Sequence, residues 1–171
     1  MVLPDGDAAR GVAAALGAHA PQALAYPSGR DWLLGRWAAD ELVTAQVAEA
    51  AHVAVIGCSP VTPATLSAMA DQVRTVADLD RLAAGLSGSF HLVAAVDGQV
   101  RVQGSVSGLR RVFHAEVGTV TIAADRADVL ASLAAAAVDE QYLAARLVYP
   151  YLPYPVADGC LWHGMQALPT R

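Results

Sequence analysis

The sequence predicts an α+β fold, in which layered antiparallel sheets are flanked by helices. Short apolar runs separated by turn residues occur in pairs along the chain, which is typical of β-hairpins. Helical periodicity appears in separate blocks, without the regular strand-helix alternation of a parallel sheet. The chain has 171 residues, of which 55% are hydrophobic. This is enough apolar material for one core.

The first predicted elements are a hairpin and a buried strand. Residues 24–26 and 32–37 are apolar runs, and the Pro and Gly of residues 27–30 between them favour a turn. Residues 52–57 form a β-branched run that stops at a glycine, which predicts a buried strand. Residues 41–50 alternate less cleanly and receive no assignment.

A capped helix and a tight hairpin follow. Thr75 with Asp78 three residues later has the spacing of an N-cap and its acidic partner, and the next apolar residues recur at helical intervals as far as residues 85–88. The strands predicted at residues 90–96 and 100–104 are joined by Asp97-Gly98. This dipeptide is favoured where both turn residues need a positive φ.

The second half of the chain contains another strand pair and two helices. Residues 111–115 and 119–123 are predicted strands around Gly118, so four strands in succession are expected to form an antiparallel sheet. An Ala-rich helix is expected from Asp125 or Arg126 to about residue 136, and another over residues 139–147.

The tail of the chain differs in composition from the rest. Residues 149–171 are rich in Pro and aromatic residues and lack helical periodicity, so we expect them to lie extended after a domain formed by residues 1–148. If the aromatic side chains of the tail are exposed, they form an apolar patch of the kind that marks an interface. If they are buried, the tail belongs to the core.

Charge and hydropathy exclude two classes of partner. The formal net charge is −5, and the eleven basic residues, all Arg, are scattered along the chain, so nucleic acid is not expected as a partner. No apolar stretch reaches the ~20 residues of a membrane span, and no membrane partner is expected. The first ten residues lack the pattern of a signal peptide, which favours a cytoplasmic location.

No short motif predicts catalysis or metal binding. The Gly clusters lack the spacing of dinucleotide or phosphate loops, and the histidines share no metal-ligand pattern. Cys58 and Cys160 are isolated thiols, which we interpret as small apolar residues. No serine lies in a strand-turn-helix elbow, which leaves a catalytic triad without support.

Two consecutive stretches carry a recognisable pattern. Residues 86–98 contain Gly88-Ser89-Phe90 and end at the hairpin turn Asp97-Gly98, and residues 104–115 contain Ser105-Val106-Ser107-Gly108 followed by Arg110, Arg111 and Phe113. This pattern resembles the glutaminase domain of asparagine synthetases, which has Gly-x-Phe, a hairpin, Asp-x-x-Gly, and then a basic and an aromatic residue. The resemblance implies the fold of an Ntn hydrolase.

Three further stretches are similar to the actinobacterial lasso peptide cyclases within this superfamily. Together they extend the resemblance over nearly the whole chain. They are residues 26–37, residues 124–130, and Tyr154-Pro155 leading to residues 161–169. The resemblance implies an ATP-dependent ligase that activates a side-chain carboxyl of a precursor peptide and forms a macrolactam with the peptide's own amine.

The sequence departs from active glutaminases of the family at the nucleophile. Those enzymes use a cysteine at the mature amino terminus, whose α-amine acts as the general base. Here Met1 is followed by Val2, and Ser105 replaces the Asp of Asp-x-x-Gly. The resemblance therefore implies a domain without glutaminase activity and with no catalytic residue, cofactor or metal of its own.

The pyrophosphate loop of the family, Ser-Gly-Gly-x-Asp-Ser, does not occur in this sequence. We expect it in a synthetase domain that continues the same protein, where ATP and Mg²⁺ would bind. The implied partners are that synthetase domain and the lasso precursor peptide. Four residues are candidates for contact with either partner: Arg110, Arg111, Tyr154 and Trp162. The two arginines can also be explained as solvated charges.

Other functions stay open on sequence grounds. One is a freestanding peptide-binding module that delivers the precursor to other biosynthesis enzymes. Another is a hydrolase that uses Cys58 or Cys160. A domain similar to that of β-lactam synthetase, a relative that also lacks the cysteine, would serve the same adenylation chemistry.

Overall fold

Four strands form one antiparallel sheet in the order β3-β4-β5-β6. The computed structural model describes residues 1–17, 20–47, 51–149, 151–153 and 156–169. The hairpin between β5 and β6 confirms the expected turn, because Asp97 and Gly98 have φ values of 49° and 74°. The strands are β3 Leu42–Val47, β4 Ala51–Cys58, β5 Ser89–Val96 and β6 Gln99–Gln103.

The remaining strands form a second antiparallel layer. One part is the hairpin β1-β2, and the other has the order β8-β7-β9. Val2 lies between them, bridged to Leu33 on one side and Ala123 on the other. The strands are β1 Gln22–Ala25, β2 Asp31–Gly35, β7 Phe113–Val117, β8 Val120–Ala124 and β9 Met165–Ala167.

The prediction that four successive strands form one sheet is wrong. The hairpins β5-β6 and β7-β8 belong to different layers, because the chain crosses from one to the other after Gly104. This crossing is a tight loop, in which the Ser105 amide donates to the Arg110 carbonyl and the Gly108 amide donates to the Ser105 carbonyl. Hairpins adjacent in sequence therefore pack face to face instead of edge to edge.

Three apolar clusters show how the layers stack. The first lies between helices α1 and α4 and the second sheet, and the second lies between α2 and α3 and the first sheet. The third contains Trp32, Leu33 and Val93 and fills the space between the two sheets. The fold is thus α+β, with helices outside two facing antiparallel sheets.

The observed helices match the predicted ones in part. The capping box at Thr75 and Asp78 is present, but it opens a 3₁₀ turn that leads into α3. The predicted helices near residues 126–136 and 139–147 are α4 and α5. Helices α1 and α2 are not predicted by the sequence pattern. The helices are α1 Ala9–Leu16, α2 Pro63–Ala70, α3 Leu79–Ala84, α4 Ala127–Ala134 and α5 Glu140–Val148.

The described part of the tail contains both extended and helical backbone. Strand β9 pairs with β7, while Val156–Asp158 form a short 3₁₀ turn. The side chains of Tyr149 and Tyr151 are 62% and 93% exposed. Trp162, in contrast, is half-buried against the cluster under α1 and α4.

Within the described residues, no helix combines the length and the apolar character required to cross a membrane.

Candidate functional site between the sheets

The first three residues form a strand-like segment inside the second layer. The Val2 amide donates to the Ala123 carbonyl at 2.7 Å, and the Leu3 amide donates to the Trp32 carbonyl at 2.9 Å. The Met1 ammonium donates to the Leu34 carbonyl at 2.7 Å. These bonds fix the position of the Met1 amine.

A cavity of about 500 Å³ opens beside this segment. Its wall is largely apolar and includes Trp37, Val93 and Val102. A mostly apolar cavity with a few polar groups is the usual form of a small-ligand site. The polar groups that line this cavity belong to Met1, Arg36, His91, Asp125 and Arg126.

His91 is the titratable group of the cavity with a defined partner. Its Nε2 atom lies 3.2 Å from the Arg111 carbonyl oxygen, which can only accept, so Nε2 carries the proton. Burial lowers the pKa of His91 from its usual 6.5, against the opposing effects of the hydrogen bond to Arg111 and of the Asp125 carboxylate, while Arg110 lowers it slightly further. The ring is therefore neutral near pH 7, and Nδ1 can accept a proton.

The charged groups of the cavity are partly paired. Burial lowers the pKa of the Met1 amine, an effect that the Asp125 carboxylate opposes. The Arg126 guanidinium is bound to the Asp128 carboxylate, with Nε 3.0 Å from Oδ1. Arg36 forms no ion pair with any described residue. The cavity can therefore offer an anionic ligand the Arg36 guanidinium.

The described residues that line the cavity provide no hydroxyl or thiol nucleophile. None of the described residues that line it is Ser, Thr or Cys. Cys58 is exposed at the end of β4, and Cys160 packs against the cluster under α1 and α4. Acyl transfer needs a nucleophile within hydrogen-bond reach of its base. The arrangement can bind a ligand and accept a proton.

Acidification is expected to lower the free energy of unfolding through His91. Because its pKa is lowered in the folded state, the unfolded chain takes up the proton first as the pH falls below 6.5. The stabilisation present above 6.5 is thus lost as the pH falls toward the lowered pKa. Urea unfolding between about pH 7.5 and pH 5.5 measures this slope.

The variant His91→Gln is expected to flatten that slope, since its amide can still donate to the Arg111 carbonyl but does not titrate. The control is His114→Gln, which removes a histidine of β7 outside the cavity. An unchanged slope in His91→Gln would contradict the assignment.

A second concave region contains two of the sequence-predicted residues. We call it the arginine cleft; its volume is about 360 Å³. It brings Arg110 and Arg111 together with Arg101, but it does not include Trp162. Tyr154 lies outside the described residues. The cleft is lined by Asp80, Arg101, Val102, Gln103, Gly104, Ser105, Arg110, Arg111, Val112, Leu168 and Pro169.

The cavity between the sheets has no signature in the sequence. The sequence predicts strands for His91 and Arg36 and a helix start for Asp125 and Arg126, and it predicts no ligand contact for any of the four. Their spacing in sequence carries no signal, because three strands from two sheets bring them together. Within the described residues, no group of three or more His, Cys, Asp or Glu could hold a metal ion.

Comparison with known proteins gives no relative from which to transfer a function. No family model, no curated protein and no solved structure matches the chain.

Proposed function

We propose that this chain is a glutaminase-like domain, without ammonia-forming activity, of an asparagine-synthetase-type ligase that forms the macrolactam of a lasso peptide. The observation that carries the proposal is the cavity at Met1, where a buried amine is present and the described lining residues include no thiol or hydroxyl. The layered sheets and the stretches around Phe90 and Arg110 also support it. The fold is proposed to be that of an Ntn hydrolase.

The position of the Met1 amine is the chemical support for this proposal. In active glutaminases of the resembling family, an amino-terminal cysteine attacks and its own amine is the base. Burial favours the neutral form of the Met1 amine, as a base requires, but the Met1 thioether is not a nucleophile. A cyclase needs no ammonia, because its peptide substrate supplies the amine.

The exposed end of α5 supports an additional structural role. Large apolar side chains cluster in sequence here and are exposed, which is typical of an interface. We propose that this surface, the α5 patch, packs against a synthetase domain that binds ATP and Mg²⁺. The α5 patch consists of Leu147, Val148, Tyr149, Tyr151 and Val156.

The first experiment is to read the gene beyond the codon for Arg171. A continuous frame that encodes Ser-Gly-Gly-x-Asp-Ser would support the ligase assignment. A stop codon directly after Arg171, with no synthetase domain that co-purifies with the chain, would contradict it.

Charge in the α5 patch is expected to weaken binding of that synthetase domain. Leu147→Glu places a carboxylate on a side chain that is 77% exposed, so the isolated chain should lose at most about 0.5 kcal/mol of stability. Burial of the new charge at an interface should weaken association at least roughly tenfold. Titration calorimetry with the separately expressed synthetase domain measures the change.

The matched control is Ala15→Glu, at an exposed side chain of α1 outside the α5 patch. It should bind like the unmodified chain. Equal binding by Leu147→Glu and Ala15→Glu would exclude the α5 patch as the interface.

The alternative function is a freestanding module that binds a precursor peptide. The observation that favours it is the arginine cleft, which is formed within this chain and requires no second domain. Delivery of peptide to a separate enzyme would use the same cleft.

A further inference from the structure

The arginine cleft lies beside edge strands of the two layers. One wall is β6, the outermost strand of the first sheet, and the other is the chain directly after β9, the outermost strand of the second layer. The Leu168 amide donates to the Val112 carbonyl at 2.8 Å, which ties this segment to the start of β7. Edge strands carry backbone groups that can pair with an added extended chain.

The charge of the cleft is opposite to that of the whole chain. Three arginines and one aspartate line it, while the formal net charge of the chain is −5. Arg101 is already bound to the Asp80 carboxylate and donates to the Val76 carbonyl at 3.0 Å. Within the described residues, Arg110 and Arg111 form no ion pair.

The loop after β6 holds these two arginines in place. The Ser105 hydroxyl accepts from the Arg110 amide at 2.9 Å, and the Ser105 amide donates to the Arg110 carbonyl at 3.1 Å. The Arg111 guanidinium carbon lies 5.2 Å from the centre of the Phe113 ring, a cation–π distance. The hydrogen bonds therefore hold the backbone of Arg110, and the Phe113 ring holds the Arg111 guanidinium, which loses less conformational entropy when it binds a ligand.

The lining also selects the kind of ligand. Apolar groups of Val112, Leu168 and Pro169 lie beside the charged ones, which suits a peptide better than a small inorganic anion. We propose that the arginine cleft binds an extended peptide segment that carries Asp or Glu side chains. Arginine binds a carboxylate through two parallel hydrogen bonds, and this geometry selects carboxylates over amides.

This proposal rests on the proposed function in one respect: the ligase assignment identifies the bound peptide as a lasso precursor. The test uses the isolated chain and a fluorescein-labelled short peptide in which Glu and Val alternate. Fluorescence anisotropy should show binding that weakens with added salt, because the contacting charges are near solvent. The same peptide with Gln in place of Glu should not bind.

Neutralising either unpaired arginine should weaken binding of the Glu peptide roughly tenfold. Arg110→Gln and Arg111→Gln test this. Arg111→Lys keeps the charge but not the paired hydrogen bonds, so its affinity for the Glu peptide should lie between those of the unmodified chain and Arg111→Gln. The matched control is Arg10→Gln on α1, which removes the same charge outside the cleft. Circular dichroism confirms that each variant is folded.

Equal binding of the Glu and Gln peptides, binding of neither, or an equal loss in Arg10→Gln would overturn the proposal. Failure here is distinct from failure of the proposed function. A synthetase domain encoded beyond Arg171 would support the ligase assignment even if no peptide bound, and peptide binding without such a domain would support only the cleft.

Discussion

Replacing Gly104 with Ala is expected to lower the free energy of unfolding by about 3 kcal/mol, since overpacking against fixed groups costs up to this amount. A Cβ at Gly104 would lie 1.9 Å from the Arg110 carbonyl oxygen. This atom belongs to the backbone and cannot rotate away. The loop must therefore open, which breaks the hydrogen bond between the Ser105 amide and the Arg110 carbonyl.

Urea unfolding measures this loss, and the control is Gly11→Ala. Gly11 lies in α1, and a Cβ there would have no atom within 4 Å. That substitution should raise stability by about 0.5–1 kcal/mol, because Ala is the better helix former. If Gly104→Ala were as stable as the unmodified chain, residue 104 could not lie as close to the Arg110 carbonyl as the structure places it. The same variant should also lose binding of the Glu peptide, because Arg110 and Arg111 follow this loop.

Replacing Leu66 with Ala is expected to lower the free energy of unfolding by about 3 kcal/mol, within the usual range for a buried leucine. Leu66 lies in α2, is fully buried and belongs to the cluster between α2, α3 and the first sheet. The same cluster contains strand side chains such as Val53 and Leu92, which cannot move into a cavity at residue 66 without shifting the sheet.

The control is Leu147→Ala, which makes the same chemical change in α5 at a side chain that is 77% exposed. It should cost less than about 0.5 kcal/mol, as is usual for surface substitutions. Thermal unfolding of both variants compares the two helices. Similar midpoints for Leu66→Ala and Leu147→Ala would mean that α2 does not pack against the sheet.

Local chemistry explains which elements could be predicted from sequence. The turn at Asp97-Gly98 needs two residues that tolerate a positive φ. The cap at Thr75 needs a side-chain acceptor three residues before a carboxylate. Each of these features therefore depends on a few neighbouring residues. Strand β4 was predicted because a β-branched run buried on both faces has no competing helical pattern.

Helices α1 and α2 escaped prediction for a different reason. Helix α2 is only eight residues long, and its buried residues are Leu66 and Ala70. The small side chain of Ala70 contributes little to a helical pattern of hydrophobic residues. The Thr62 hydroxyl accepts from the Thr65 amide, so a capping signal was present but not recognised. Helices this short gain most of their stability from tertiary packing.

The α+β class, the hairpins and the lack of a cysteine at Met1 or Val2 can all be read from the amino-acid sequence. The placement of consecutive hairpins in different layers cannot, and neither can the meeting of His91, Arg36 and Asp125 beside Met1 or of Arg101, Arg110 and Arg111 in one cleft. Turns and caps depend on neighbouring residues, whereas sheet partners and cavities depend on how apolar faces are buried against each other.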